Sequence, residues 1–163
     1  MVTKKELTTR RFNLADCTFS VEECYKAIRK VSDKLRYDFI EKEQELKPDK
    51  YGHERNFNFF LAKKWDTFAK AELEITMKFK HLNKVKVDGK EIEKGDVEIT
   101  AGGSVLYDYK NEWRKSRFFV WLFEGIYLKY FVEDEIKKKY LKPTGADLNE
   151  IYMVIKDKLN EFA

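Results

Sequence analysis

Four glutamates gather around one predicted turn and are the residues best suited to acid–base chemistry. Glu41, Glu43 and Glu45 alternate before the turn, and Glu54 follows it. Alternate residues of a β-strand share one face, so three of these carboxylates would form an acidic patch able to bind a cation or transfer protons. Two other interpretations stay open: the strand runs past the edge of the core, or a bulge near Ile40 turns the carboxylates to water.

A fifth carboxylate, Glu124, lies inside the most apolar stretch of the chain. An unpaired carboxylate in an apolar interior is costly. Three interpretations of Glu124 follow: it contacts a ligand in an internal cavity, it reaches the surface of the helix, or it pairs with a cation such as Lys129 or Arg117.

The remaining reactive residues do not form a recognisable site. His53 and His81 lack a second metal ligand at a useful spacing, and Cys17 and Cys24 lack the further ligands of a zinc site. Residues 102–104 (Gly-Gly-Ser) are not followed by the Gly-Lys-Ser/Thr of a phosphate-binding loop. We therefore expect no metal and no cofactor, and the pattern favours a non-enzymatic protein while leaving catalysis open.

Composition points to one folded domain with a dense ionic surface. The chain has 163 residues, of which 38% are charged, and a net charge of +4. The charges are interleaved, so we expect no nucleic-acid partner. No apolar run approaches the ~20 residues that span a bilayer, and no signal peptide is evident. We expect Cys17 and Cys24 to be free thiols in the cytoplasm. A high content of Lys and Glu with a single Gln is typical of proteins from thermophiles.

The strongest structural signal is the segment from Phe68 to Leu82. Apolar residues alternate with polar ones along it, which predicts a β-strand with one buried face. The buried face would carry Leu73, Ile75, Met77 and Phe79.

The flanking segments predict a helix and further strands. Ser20 followed by Glu23 is a capping box for a helix over Val21–Val31. Asp88-Gly89 is a strong hairpin signal, Gly95-Asp96 suggests another turn, and Gly102-Gly103 suggests a bulge or bend. Residues 35–47 fit either a continued helix or a strand, and we favour the strand because residues 57–61 give it a partner. With these two strands before the central one, we predict a five-strand antiparallel meander. Lys5–Leu14 is compatible with a strand but does not require one.

The C-terminal third should cover the apolar face of this sheet. Residues 111–141 lack strand alternation and predict a long buried helix. Pro143-Thr144-Gly145 would break it, and Asp147 would cap a short final helix.

Aromatic residues extend almost around the predicted long helix, and this distribution has three interpretations. In the first, the sheet and other helices enclose them all. In the second, they line a cavity for an apolar ligand, and in the third they form a membrane- or partner-binding face. The ligand interpretation assigns binding to Trp121, Phe123, Glu124, Tyr127 and, from the sheet, Tyr107.

Two resemblances accompany these patterns. The stretch from Leu82 to Trp113, with the V-x-V hairpin, Gly95 and Asp108-Tyr109, resembles an uncharacterised family of small archaeal proteins. The order of elements also resembles the helix-grip fold of START-like proteins, in which a curved sheet wraps a C-terminal helix. That second resemblance implies lipid or polyketide binding, but this chain has one N-terminal helix where those proteins have two.

The sequence thus predicts an α+β domain over residues 1–163, with an antiparallel meander packed against a long C-terminal helix, one N-terminal helix and a short final helix. Its expected function is to hold a small apolar ligand between sheet and aromatic helix. The alternative is a protein-interaction module or homodimer that uses an aromatic face of the same helix.

Overall fold

The computed structural model describes residues 3–49, 52–110, 117–122, 126 and 133–160. Across these residues the chain has the predicted α+β fold, with an antiparallel sheet that carries an N-terminal helix and a long C-terminal helix on one face. The strands are β1 (Thr3–Glu6), β2 (Arg10–Phe19), β3 (Asp38–Asp49), β4 (Gly52–Lys64), β5 (Ala69–Val87) and β6 (Lys90–Tyr107). The helices are α1 (Val21–Lys34), α2 (Arg117–Leu122), α3 (Glu133–Ile136) and α4 (Lys142–Asn160), with a π-helical turn over Lys137–Leu141.

The predicted central strand is confirmed as β5. The sheet order is β1-β6-β5-β4-β3, with β2 also paired to β6. The apolar side chains of β5 (Leu73, Ile75, Met77 and Phe79) are fully buried, and the intervening residues lie on the opposite face. Burial of each of these side chains contributes roughly 1.5–3 kcal/mol to stability.

The hairpin prediction is also confirmed, but its strands are longer than expected. Asp88 and Gly89 both have positive φ (50° and 77°), as the tight turn requires. The predicted turn at Gly95-Asp96 is wrong, because β6 continues through it. Gly95 instead permits close packing: a Cβ there would lie 2.6 Å from the Lys80 carbonyl oxygen. β5 and β6 are each one long strand, so the meander has four strands (β3 to β6) and not the predicted five.

The N-terminal segment forms two short strands along the other edge of β6. β1 ends with Glu6 opposite Ser104, and β2 begins with Arg10 opposite Ala101. The predicted bulge at Gly102-Gly103 is absent from the β5–β6 pairing, whose register is unbroken there. The glycine pair marks the place where the edge partner changes from β1 to β2, and the Leu7 amide donates to the Gly103 carbonyl at 2.8 Å.

Helix α1 begins where the sequence predicted. The Ser20 hydroxyl accepts a hydrogen bond from the Glu23 amide at 3.3 Å, and a carboxylate from β6, Glu93, accepts from the Val21 amide at 2.9 Å. The helix continues past the predicted end because buried Ser32 donates back to the Ile28 carbonyl (2.7 Å) instead of terminating the helix.

The helix that covers the sheet is α4, which corrects the prediction of a short final helix. Its buried face packs with α1 against the apolar face of the sheet and consists of Leu148, Ile151, Ile155 and Leu159. Pro143 does not break the helical path, since the preceding turn is π-helical and the Lys142 amide donates to the Lys137 carbonyl five residues back. Asp147 is not a cap either: it accepts from the Tyr37 hydroxyl at 2.9 Å.

About half of the predicted long helix lies outside the described residues, namely residues 111–116, 123–125 and 127–132. Its predicted last turns are helical and do pack on the sheet, where Ile136 and Tyr140 contact a second cluster around Tyr107. Asp66 holds this contact in place, because its carboxylate accepts from the Tyr140 hydroxyl and from the Phe68 and Ala69 amides.

Candidate functional site

The sheet is irregular along one line that crosses four of its strands. Leu14, Val97, Phe79 and Arg55 lie opposite one another on β2, β6, β5 and β4. Just beyond this row, each of the three strand pairs shifts its register: after Leu14 in β2, before Arg55 in β4 and after Lys80 in β5. Bulges bend strands and redirect side chains, so the sheet changes direction at this line.

Two non-glycine residues in these irregularities have left-handed backbone conformations. Asp16 has φ 51° and His81 has φ 56°. Such conformations are unfavourable for residues with side chains, and they persist where the surroundings require them. The Asp16 amide donates to the Asp96 carboxylate at 2.8 Å, which ties the β2 bulge to β6.

A groove lies on the helix-bearing side of the sheet at this end, and we call it the bulge groove. Its first section, about 410 Å³, lies beside the N-terminus of α1 and is lined by Val21, Glu22, Tyr25, Glu41, Gln44, Arg55, Phe57 and Glu93. Its second section, about 490 Å³, lies between the strand ends and is lined by Leu46, His53, Arg55, Leu82, Asn83, Lys84 and Glu93. Arg55 and Glu93 line both sections.

A chain of hydrogen bonds orders one wall of the first section. The Tyr25 hydroxyl donates to Glu41 at 2.9 Å. With its amide oriented to match its neighbours, Gln44 donates to the other Glu41 oxygen at 3.0 Å and accepts from the Arg55 guanidinium at 3.1 Å. Burial, and then the bond to Glu41, raise the pKa of Tyr25. The wall therefore presents oriented polar groups beside the apolar ring of Phe57.

The acidic patch suggested by the alternating glutamates does not form as a single cluster. The register of β3 shifts between Glu41 and Glu43, which breaks the shared parity. Glu41 faces Tyr25, whereas Glu45 pairs with Lys47 at 2.9 Å, and this pairing lowers the pKa of Glu45. The Glu54 carboxylate accepts from the Asn56 amide at 3.1 Å. A bulge near Ile40 was one of the interpretations left open by the sequence.

Among the residues that the structure describes, no three His, Cys, Asp or Glu side chains are placed to hold a metal ion. His81 lies 3.9 Å from the Asp96 carboxylate. Cys17 and Cys24 are free thiols, and burial is the main cause that raises the pKa of Cys17.

The five residues assigned to ligand binding are distributed as follows. Phe123, Glu124 and Tyr127 lie outside the described residues. Trp121 is 60% exposed, and its ring centroid is 6.3 Å from that of Phe118, which is also largely exposed.

Tyr107 is the fifth, and it lies in the second cluster with only 1% of its surface exposed. Its ring packs between those of Phe68 and Tyr140, with centroids at 5.8 and 6.1 Å. Its hydroxyl has no hydrogen-bond partner among the described residues. Burial raises the pKa of Tyr107 to about 12.

Sequence reasoning missed the groove, although one signal for it was available. Arg55 stands two residues before Phe57 on the apolar face of its strand, and a charged residue at such a position indicates a special environment. No sequence signal shows that Tyr25, Gln44 and Glu93 line one groove with Arg55, because they come from three separate elements.

Comparison with known proteins adds no identification: no family model matches the chain, and no curated protein matches it. Within the described ranges, no helix has the length and apolar character needed to cross a membrane.

Proposed function

We propose that this chain is a non-enzymatic binding protein of the cytoplasm that holds a small, largely apolar ligand on the helix-bearing face of its sheet, in the bulge groove. The observation that carries the proposal is the groove itself: two adjacent sections of about 410 and 490 Å³ at a line of bulges, with apolar surface beside oriented polar groups. Ligand sites in proteins have volumes of roughly 300–1,000 Å³ and this mixed lining.

The bulges support a binding role because they are unfavourable features that recur next to functional sites. The register of β5 and β6 is regular over most of their length and shifts between Lys80 and Asn83, at the groove. The cytoplasmic assignment is supported by the two free thiols, of which Cys24 is fully buried.

Native mass spectrometry of the purified protein, combined with fluorescence titration of 1-anilinonaphthalene-8-sulfonate, tests the proposal. Leu46 and Ile40 are both exposed apolar residues on β3, but only Leu46 lines the groove. We expect Leu46→Asp to reduce co-purified ligand and dye binding about tenfold, because it places a charge on the apolar surface. Ile40→Asp is the matched control and should retain both.

Absence of any co-purified ligand, together with dye binding that is equal in wild type and Leu46→Asp, would refute a ligand site in the groove. The predicted site on Trp121, Phe123, Glu124, Tyr127 and Tyr107 would then be the next to test, by substituting Trp121 with Ala.

A second candidate function, a protein-interaction module or homodimer, is favoured by one observation. Phe118 and Trp121 are 62% and 60% exposed and adjacent on α2, and exposed aromatic pairs are typical of contact surfaces. Light scattering over a concentration series should then detect a dimer that Trp121→Ser weakens. A monomer at the highest concentration would rule out the homodimer.

A further inference from the structure

We infer that the bulge groove is specific for an anionic amphiphile, a molecule with one carboxylate-like head group and an apolar body. The head group would bind Arg55 and Lys84, and the apolar body would lie along Leu46 and Leu82. This inference rests on the proposed function and adds the chemical class of the ligand.

The carboxylates that line the groove already have donors within the protein. Glu41 accepts from Tyr25, Glu93 accepts from the backbone amide at the start of α1, and Glu22 pairs with Lys26 at 2.7 Å. A carboxylate with such a donor is less available to bind a cationic ligand. The acidic residues of the groove therefore serve mainly to hold its walls together.

The cations of the second section are in a different situation. Arg55 and Lys84 both line it, and among the described residues neither forms an ion pair with a carboxylate. His53 lines the same section. Glu93 is the one carboxylate among the lining residues, so the two cations leave the section with a net positive charge.

Arg55 is also held in position. Its guanidinium carbon lies 5.1 Å from the centre of the Phe57 ring, and one of its terminal nitrogens donates to the Gln44 amide oxygen at 3.1 Å. A guanidinium has five N–H donors in a planar fork that matches a carboxylate. Stacking and a single hydrogen bond orient this fork while leaving most of its donors for a ligand.

The apolar surface lies beside these charges. Leu82 is buried in the main core and contributes to the floor, and Leu46 is 68% exposed at the rim. An exposed leucine next to a cationic groove offers little to a free inorganic anion. It would favour a ligand that has both a charge and an apolar portion.

The test compares three probes that differ only in their head group: decanoate, decanol and decylamine, titrated by calorimetry into wild type and variants. We expect wild type to bind decanoate about tenfold more tightly than decylamine, since a charge-assisted hydrogen bond has that magnitude. We also expect Arg55→Leu to weaken decanoate about tenfold or more while leaving decanol within about twofold.

Arg11→Leu is the matched control, because Arg11 is an exposed arginine of β2 that does not line the groove. It should leave the decanoate affinity unchanged. Arg55→Lys keeps the charge but loses the fork, so its affinity for decanoate should fall between those of wild type and Arg55→Leu. Should Arg55→Leu not fold, the salt dependence of decanoate binding to wild type gives the second measurement, and affinity should fall as salt rises.

Each outcome has a definite meaning. Equal affinity for decanoate and decylamine, or decanoate binding that Arg55→Leu or salt leaves unchanged, overturns the inference. If decanol binds in the groove as tightly as decanoate, the inference of an anionic head group is also overturned, but the proposed function stands. If none of the three probes binds and Leu46→Asp changes nothing, the proposed function fails as well.

Discussion

At the scale of single residues, Tyr107 has the least ordinary environment in the described core. Its hydroxyl group lies in the second cluster, beside Phe68 and Tyr140, and has no hydrogen-bond partner among the described residues. A buried hydroxyl without a partner loses its hydration and gains nothing in return. Substitution of this residue therefore tests whether water reaches the Tyr107 hydroxyl in the second cluster.

Tyr107→Phe should leave the free energy of unfolding at neutral pH unchanged or raise it by about 1 kcal/mol. The ring and its contacts with Phe68 and Tyr140 are kept, and only the unpaired hydroxyl is lost. Guanidinium denaturation at pH 7 measures the difference. A loss of about 2 kcal/mol or more would mean that the hydroxyl has a strong partner.

The same residue predicts a pH dependence. An unfolded tyrosine ionises near pH 10, whereas burial raises the pKa of Tyr107 to about 12. Between these values the native state keeps a proton that the unfolded chain has lost, so the stabilisation is complete below about pH 10 and is lost as the pH approaches the native pKa. The slope from this group is about 1.4 kcal/mol per pH unit.

Denaturation curves of wild type and Tyr107→Phe from neutral to strongly alkaline pH measure this slope. The variant should lose stability less steeply above about pH 10. Parallel curves over the whole range would show that Tyr107 ionises as easily in the native state as in the unfolded chain.

At the scale of elements, the strands at the bulged end are held closer together than side chains normally permit. A Cβ at Gly95 would lie 2.6 Å from the Lys80 carbonyl oxygen, a backbone atom that cannot rotate away. At Gly102 the nearest atom is the Thr9 hydroxyl oxygen at 3.2 Å, which belongs to a side chain. Gly95 and Gly102 therefore have different roles in β6.

Gly95→Ala should reduce the free energy of unfolding by about 1–3 kcal/mol, because the strands must move apart. Gly102→Ala is the matched control, and it should cost less than about 1 kcal/mol since the Thr9 side chain can change rotamer. Urea denaturation of both variants measures the difference. Equal stability of the two variants would contradict the close packing at the bulge.

The N-terminus of α1 offers a second test at this scale. Ser20→Ala removes the hydroxyl that accepts from the Glu23 amide, and it should cost about 1 kcal/mol, whereas Ser20→Gly should cost only a few tenths. Chemical denaturation of the two variants checks the order. A Ser20→Gly variant less stable than Ser20→Ala would argue against the cap.

At the scale of the whole molecule, stability depends on α4 as the cover of the sheet. Ile151 is fully buried between α1 and the sheet, whereas Met153 on the same helix is substantially exposed. Ile151→Ala should cost about 2–5 kcal/mol, and Met153→Ala should cost much less. Thermal unfolding of both variants checks this. Similar melting temperatures would mean that α4 is not part of the cooperative core.

Much of the fold could be predicted from local patterns. Alternation along β5, the capping residue of α1 and the Asp88-Gly89 turn are properties of neighbouring residues, and each was predicted at the correct place. The errors occurred where contacts between residues far apart in the sequence determine the local structure. Gly95 was interpreted as a turn because the approach of the Lys80 carbonyl is a contact between strands.

The C-terminal helix shows the same limit. Pro143 usually ends a helix, but here a π turn precedes it, and the Thr144 hydroxyl accepts from the Trp65 indole at 3.0 Å while α4 docks on the core. Local propensity favoured a break, and tertiary packing overrode it. The resemblance to an archaeal family and the ligand site on the aromatic helix stay predictions.

The sequence by itself determined the antiparallel sheet with one buried face, the N-terminal helix and the main hairpin, because apolar periodicity and turn residues act within a few positions. Only the tertiary structure decided which helix covers the sheet and where the strand pairs of the sheet shift their register. It also decided that four side chains meet in one groove, those of Arg55, Gln44, Glu41 and Tyr25. The physical reason is that a bulge and a groove depend on contacts between strands and helices that are far apart in the chain.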